Sequence, residues 1–222
     1  MDEFEQMRLE TKDIANNTAT RLPLILCIDA SYSMLINKRI KNINDGIRTL
    51  LMDLKEDVYA VDSVELCIVS FGGREAKTEV AFNTVNRIQF EDIPASGETP
   101  LGQAVTFALD RLEERLDTYG DLGIEHYKLW LVIISDGDAT DQYQKAAERT
   151  KALEEADKLK VFPICLGDHK TSLEDFSIYR KIYSLDEFKV RDFFAWLSQS
   201  MSAQSKSTQT IGEIRDIEKW IV

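Results

Sequence analysis

The sequence predicts an α/β fold, a doubly wound and mostly parallel six-stranded sheet with helices on both faces. Three observations carry that prediction. The runs at 22–28 and 128–134 are apolar almost throughout, as strands covered on both faces are. Around them, apolar residues recur at three- and four-residue steps, the spacing of amphipathic helices. Finally, the strand-like runs at 64–71 and 78–83 are separated only by residues 72–77, with the turn signal Gly72-Gly73-Arg74-Glu75, and so short a link only allows antiparallel pairing.

Residues 1–20 are polar and acidic, with Phe4, Met7, Leu9 and Ile14 scattered among them, and read as an N-terminal arm or short helix. The main domain is expected over 21–203. Its first strand, 22–28, leads to a helix over about 37–58, where Ile40, Ile43, Ile47, Leu50, Leu51, Leu54 and Val58 form one stripe. Gly46 interrupts that stripe at a cost in helix propensity, which close approach of the helix to the sheet would explain. The second strand is 64–71. The third, 78–83, alternates polar and apolar residues and so belongs at an edge.

Thr99 and Pro100 suit the cap and first position of a second helix, whose stripe runs from Leu101 through Ala104, Val105, Ala108, Leu109 and Leu112 to Leu116. The fourth strand, 128–134, is followed by a loop rich in aspartate and a helix over about 142–159. The fifth strand, 161–166, holds Pro163, which points to an edge-ward place or a bulge. A short sixth strand at 181–185 precedes a last helix that turns Phe193, Phe194, Leu197 and Met201 inward, with Trp196 off that stripe and partly buried. Residues 204–222 form a polar linker and a short amphipathic segment, expected to dock back on the domain.

The hairpin closes one half of the sheet, so the chain must cross back and lay the fourth strand beside the first. The expected order is 3-2-1-4-5-6, Rossmann-like, with strand 3 antiparallel. Ligand sites in such sheets lie outside the carboxyl ends of the strands, where the winding reverses. Here that crevice falls between strands one and four. Asp29, Ser31 and Ser33 follow strand one, Asp136 follows strand four, and Thr99 opens the helix leading into strand four. All five carry hard oxygen donors, a set suited to a cation such as Mg²⁺ or Mn²⁺. The plainer reading of Asp29, Ser31 and Ser33 alone is a turn that caps the next helix.

Composition narrows the partners. With 27 basic and 39 acidic residues the formal charge is -12, which disfavours phosphate backbones and anionic lipid. Neither a nucleic acid nor a membrane surface is therefore expected as partner. Hydrophobic residues make up 44% and charged residues 30%, the balance of a globular protein. Cys27, Cys67 and Cys165 each lie in an apolar run without paired spacing, which fits a reducing compartment. The start has neither a basic nor an apolar signal region, and a cytoplasmic location is expected.

The D-x-S-x-S run of Asp29, Ser31 and Ser33, the later loop Thr99, and Asp136 after the fourth strand together resemble a von Willebrand factor A (VWA) domain with a metal-ion-dependent adhesion site (MIDAS). The resemblance covers about residues 20–203. It implies that Ser31 and Ser33 bind a divalent cation directly and that Asp29, Thr99 and Asp136 do so directly or through water. Mg²⁺ is the first expectation, with Mn²⁺ or Ca²⁺ as alternatives. Neutral hydroxyl ligands leave the ion under-neutralised, and its open position favours a partner's Asp or Glu carboxylate. Short strings at 99–102, 135–137 and 193–198 look most like bacterial cytoplasmic TerY-like proteins associated with tellurite resistance and stress operons, whose company includes kinases and phosphatases. Tyr32 departs from the family's usual small residue there and is positioned to shape the metal face.

Two other readings compete. A haloacid-dehalogenase-like phosphohydrolase also places an Asp after strand one, but it needs a second Asp where Ser31 stands, and no lysine lies in the Thr99 loop or between Asp136 and Gln142. His126 and His169 lie outside any Cys/His metal spacing, and no phosphate-binding glycine motif occurs, so a non-enzymatic role is expected. A metal-free VWA scaffold is the other reading. Glu98, Asp138 and Asp141 are expected as loop, turn or cap residues.

Overall fold

In the computed structural model, residues 17–73, 75–167, 172–186 and 189–206 are described. The expected arm before residue 17, His169, and the tail beyond residue 206 lie outside them. The six strands are β1 (Leu22–Asp29), β2 (Val64–Gly72), β3 (Glu75–Thr84), β4 (Leu129–Ser135), β5 (Leu159–Leu166) and β6 (Tyr183–Leu185). They assemble in the order β3-β2-β1-β4-β5-β6. Every neighbouring pair is parallel except β2 with β3. The predicted fold class, order and antiparallel edge strand are all observed.

Four helices cover the sheet: α1 (Arg39–Glu56), α2 (Leu101–Leu122), α3 (Gln144–Glu155) and α4 (Val190–Ser205). The two-residue period of β1 divides the core between them. Leu22, Leu24, Leu26 and Ile28 point to the face packed by α1 and α4, while Ile25 and Cys27 point to the face packed by α2 and α3. All six are fully buried, which is why β1 reads as one unbroken apolar run. Burial pushes the thiol of Cys67 up to about 12 and that of Cys27 higher still, so both behave as small core hydrophobes.

The element ends differ from expectation where the backbone turns left-handed. The 3-10 turn that begins at Tyr32 is broken at Ile36, which is extended (ψ 134°), and Asn37 and Lys38 have φ of 51° and 61°, so α1 starts only at Arg39. Asp157, at φ 59°, follows the end of α3. α2 runs past its last stripe residue, Leu116, and is terminated by Gly123, at φ 66°, where Ile124 N–H bonds back to Tyr119 O at 2.9 Å. Pro163 pairs with Ile133 on β4, one residue before β6 begins to pair at Ile164, so its missing N–H breaks no ladder on that side. Trp196 is more buried than expected, 8% exposed, with its ring against Phe193 and Phe162.

Gly46 does mark a close approach, but to a helix rather than to the sheet. A Cβ there would fall 2.1 Å from Cδ2 of Phe194 on α4, a fully buried ring. In Gly46→Ala, about 1 kcal/mol of helix propensity is gained, and displacing a packed ring costs about 1–3 kcal/mol. A lower urea midpoint is expected. A midpoint equal to or above that of the wild type would show that the ring has room to move.

Candidate metal centre

Asp29 ends β1 at full burial. Its Oδ1 accepts the Ser31 backbone N–H at 2.8 Å, closing the turn, and its Oδ2 accepts the Ser135 hydroxyl from the end of β4. Burial pushes the Asp29 carboxyl up from 3.8 to about 6, against the opposing pull of the Ser135 and Ser31 hydrogen bonds. Ser31 Oγ lies 2.9 Å from Ser33 Oγ, and Ser33 donates to Asp136 Oδ1 at 2.6 Å. Asp29, Ser31, Ser33 and Asp136 are thus linked in turn across the crevice between β1 and β4, the first link through the Ser31 backbone N–H and the other two between oxygens.

Thr99 arrives through the backbone. Its carbonyl accepts Leu101 N–H at 2.8 Å and Thr140 N–H at 2.9 Å, which ties its loop to the one after β4. On the other side, Tyr32 N–H bonds to Gly97 O at 3.0 Å, and Ser96 N–H bonds to Ala30 O. Gly72 and Gly97 make this convergence feasible. A Cβ on Gly72 would fall 2.6 Å from Ala30 O and 2.5 Å from Ser96 O, and Gly97, at φ 68°, packs against the Gly73 backbone. The five predicted residues are therefore drawn from three loops that backbone hydrogen bonds tie together at the carboxyl ends of β1 and β4, with Thr99 7% exposed.

Thr99 does not cap α2 as expected. Pro100 takes the N-cap position, and the carboxylate of Asp141 accepts the Gly102 and Gln103 N–H groups at 2.9 and 2.8 Å. Asp138 accepts the Ser172 N–H at 2.8 Å, a structural loop role. Among the described residues no group of three or more His, Cys, Asp or Glu side chains is placed to hold a metal ion. Hydroxyls therefore make up most of the donor set at this crevice.

Sequence reasoning missed two members of the site. Ser135 orients Asp29, and its signal was a lone polar residue ending an apolar strand beside β1. Arg39 donates through Nη1 to Asp136 Oδ2 at 2.6 Å, with side-chain exposures of 13% and 0%. Its signal was a cation in the first turn of a helix, where the macrodipole disfavours it.

A family model for the von Willebrand factor type A domain matches residues 24–209. The chain belongs to that family. Among solved structures, this VWA chain is similar to proximal thread matrix protein 1 from the mussel byssus, at 14% identity and a TM-score of 0.58, covering 84% of this chain and 48% of that one. A second structure of that protein is described as having a zinc-occupied MIDAS motif. The ArnB paralog VWA2 from Sulfolobus acidocaldarius gives 16% identity and a TM-score of 0.54, over 84% of this chain and 46% of that one. The open pilus adhesin SpaC from Lactobacillus rhamnosus GG gives 11% and 0.63, over 83% and 30%. The VWA chain thus spans about half or less of these proteins, and at such identities the likeness establishes the fold. No curated protein sequence matches. Among the described residues no helix is long and apolar enough to cross a membrane.

Proposed function

We propose that this VWA domain is a divalent-cation-dependent protein-interaction module, with Asp29, Ser31, Ser33, Thr99 and Asp136 holding the ion. The observation that carries the reading is the hydrogen-bonded run from Asp29, through the Ser31 backbone N–H, to the hydroxyls of Ser31 and Ser33 and the carboxylate of Asp136, with Asp29, Ser31 and Asp136 buried. Two carboxylates and three hydroxyls fit a hard cation, Mg²⁺ first, with Mn²⁺ or Ca²⁺ accepted by the same donors. When bound, the ion supplies an electrophilic position for an anionic oxygen. The zinc described in the mussel protein's MIDAS supports the family's use of this place.

The partner in this reading is a protein that presents an Asp or Glu carboxylate. Tyr32, Leu35 and Ile36 stand 64%, 58% and 56% exposed on the turn that follows Ser31, an apolar rim for whatever flanks that carboxylate. We assign no catalysis: no acid/base pair accompanies Asp29, since Ser31 holds the place where a phosphohydrolase would need a second Asp. The domain limits of 21–203 and a cytoplasmic setting extend the proposal, and the strings quoted above extend it to a TerY-like role among stress-response kinases or phosphatases.

The test is thermal. Protein stripped with chelator and titrated with Mg²⁺ or Mn²⁺ is expected to show a concentration-dependent rise in Tm that Ser33→Ala reduces, and partner capture from lysate is expected to fall in chelator. A Tm indifferent to every divalent cation, or capture unaffected by chelator, would remove the reading.

A further inference from the structure

We propose that Arg39 is a resident counter-cation of this site: its guanidinium and a divalent ion compete for the Asp136 carboxylate, so that cation loading requires Arg39 to let go. The inference rests on the site reading above and adds to it the side chain that sets the site's affinity.

Four features of the structure point the same way. The two oxygens of Asp136 are both engaged, Oδ1 by the Ser33 hydroxyl and Oδ2 by Arg39 Nη1, each at 2.6 Å. The Asp136 side chain is fully buried, so its charge has to be met by a cation from within the protein or from solution. With engagement and burial of Asp136 as the first feature, the charge count at the crevice is the second. Asp29 and Asp136 supply two negative charges, the hydroxyls supply none, and Arg39 returns one positive charge. A divalent ion added beside an engaged Arg39 meets the repulsion of a neighbouring cation in a poorly solvated site; added after its release, it meets the two carboxylates without that repulsion.

Placement gives the third feature. Arg39 opens α1, whose first turn holds no acidic residue, so the helix dipole repels it there. The ion pair with a residue 97 positions away offsets that repulsion. The fourth is backbone strain. Asn37 and Lys38, consecutive non-glycine residues, both sit in the left-handed region immediately before Arg39. The segment that carries both partners of Asp136, Ser33 and Arg39, is thus held in a costly conformation that the Arg39 contact helps to maintain. By linkage, a cation that displaces Arg39 is itself displaced by Arg39 to the same degree.

The closing experiment uses calorimetric titration of Mg²⁺ into the full chain, wild type against Arg39→Gln, with circular dichroism to check folding. Arg39→Gln is expected to bind Mg²⁺ about tenfold tighter or better, as loss of a neighbouring cation in a low-dielectric site requires. Equal or weaker Mg²⁺ affinity in the folded variant, with binding by the wild type intact, overturns the competition and leaves the site reading standing. Absence of Mg²⁺ binding by both proteins overturns both. A measurement on the wild type alone covers a variant that fails to fold: the Nε–H resonance of Arg39 is expected to shift with the same midpoint as Mg²⁺ binding. A resonance that stays fixed through saturation overturns the proposal.

Discussion

Replacing Glu65 with alanine is expected to destabilise the protein by about 3–5 kcal/mol, the range measured when one partner of a buried ion pair is removed. Glu65 is fully buried near the start of β2, at the end of the sheet away from the candidate metal centre. Its Oε2 accepts Arg115 Nε at 2.6 Å and the Tyr119 hydroxyl at 2.7 Å, and its Oε1 lies 3.1 Å from Arg21 Nε. Arg21 is itself fully buried, and its other nitrogens donate to the carbonyls of Ala19, Asp62 and Asn17. One carboxylate therefore organises the segment entering β1, the segment entering β2, and the outer end of α2. Without it, two guanidiniums repel each other in a dry space and a phenol that burial and the Glu65 charge already push up loses its acceptor. Glu65→Gln keeps an acceptor of the same shape and is expected to lose less. Urea midpoints for the two variants check this. A loss below about 1 kcal/mol for Glu65→Ala would mean that Arg21 and Arg115 recover their solvation, contrary to their burial.

That network shows what kind of information a single sequence withholds. β1 and β4 are legible because burial on both faces demands unbroken apolar runs, and their order follows from the hairpin and the handedness of crossovers. Asp29, Ser31, Ser33, Thr99 and Asp136 are legible because topology predicts one crevice and their donor chemistry is alike. Nothing in the sequence marks the role of Glu65 and Arg21, since charged side chains are seldom fully buried unless paired and the partners lie 44 and 50 positions away. Asp141 is equally opaque as the cap of α2, because a cap is normally sought within a few residues of the helix it serves. Arg39 escaped for a different reason. The stripe from Ile40 to Leu54 predicts the helix well, but a stripe of apolar residues does not report a left-handed break just before its first turn.

Asp29→Asn is expected to separate the stability of the domain from its cation binding. In chelator at neutral pH the variant should be more stable than the wild type, by about 1–3 kcal/mol, the free-energy equivalent of the raised Asp29 pKa. The direction follows from the proton count. The folded carboxyl titrates at about 6 and the unfolded one near 3.8, so between these values the folded protein holds more protons and stability falls as pH rises. Above about pH 6 the wild type carries the full penalty of an ionised, buried carboxylate. Asparagine carries none, and its amide can still accept the Ser31 N–H while the Ser135 hydroxyl rotates to accept from the amide nitrogen. Stability of the two proteins in chelator should therefore diverge from about pH 4 to 6 and run parallel above. Adding Mg²⁺ should reverse the ranking, because the variant offers a neutral amide where the wild type offers a charge. A variant less stable than the wild type in chelator at pH 7 would show that the polar surroundings of Asp29 already compensate its charge. The opposite result makes Asp29 a carboxylate that weakens the cation-free fold in return for affinity. Asp136 differs in that the protein supplies its own cation there, Arg39.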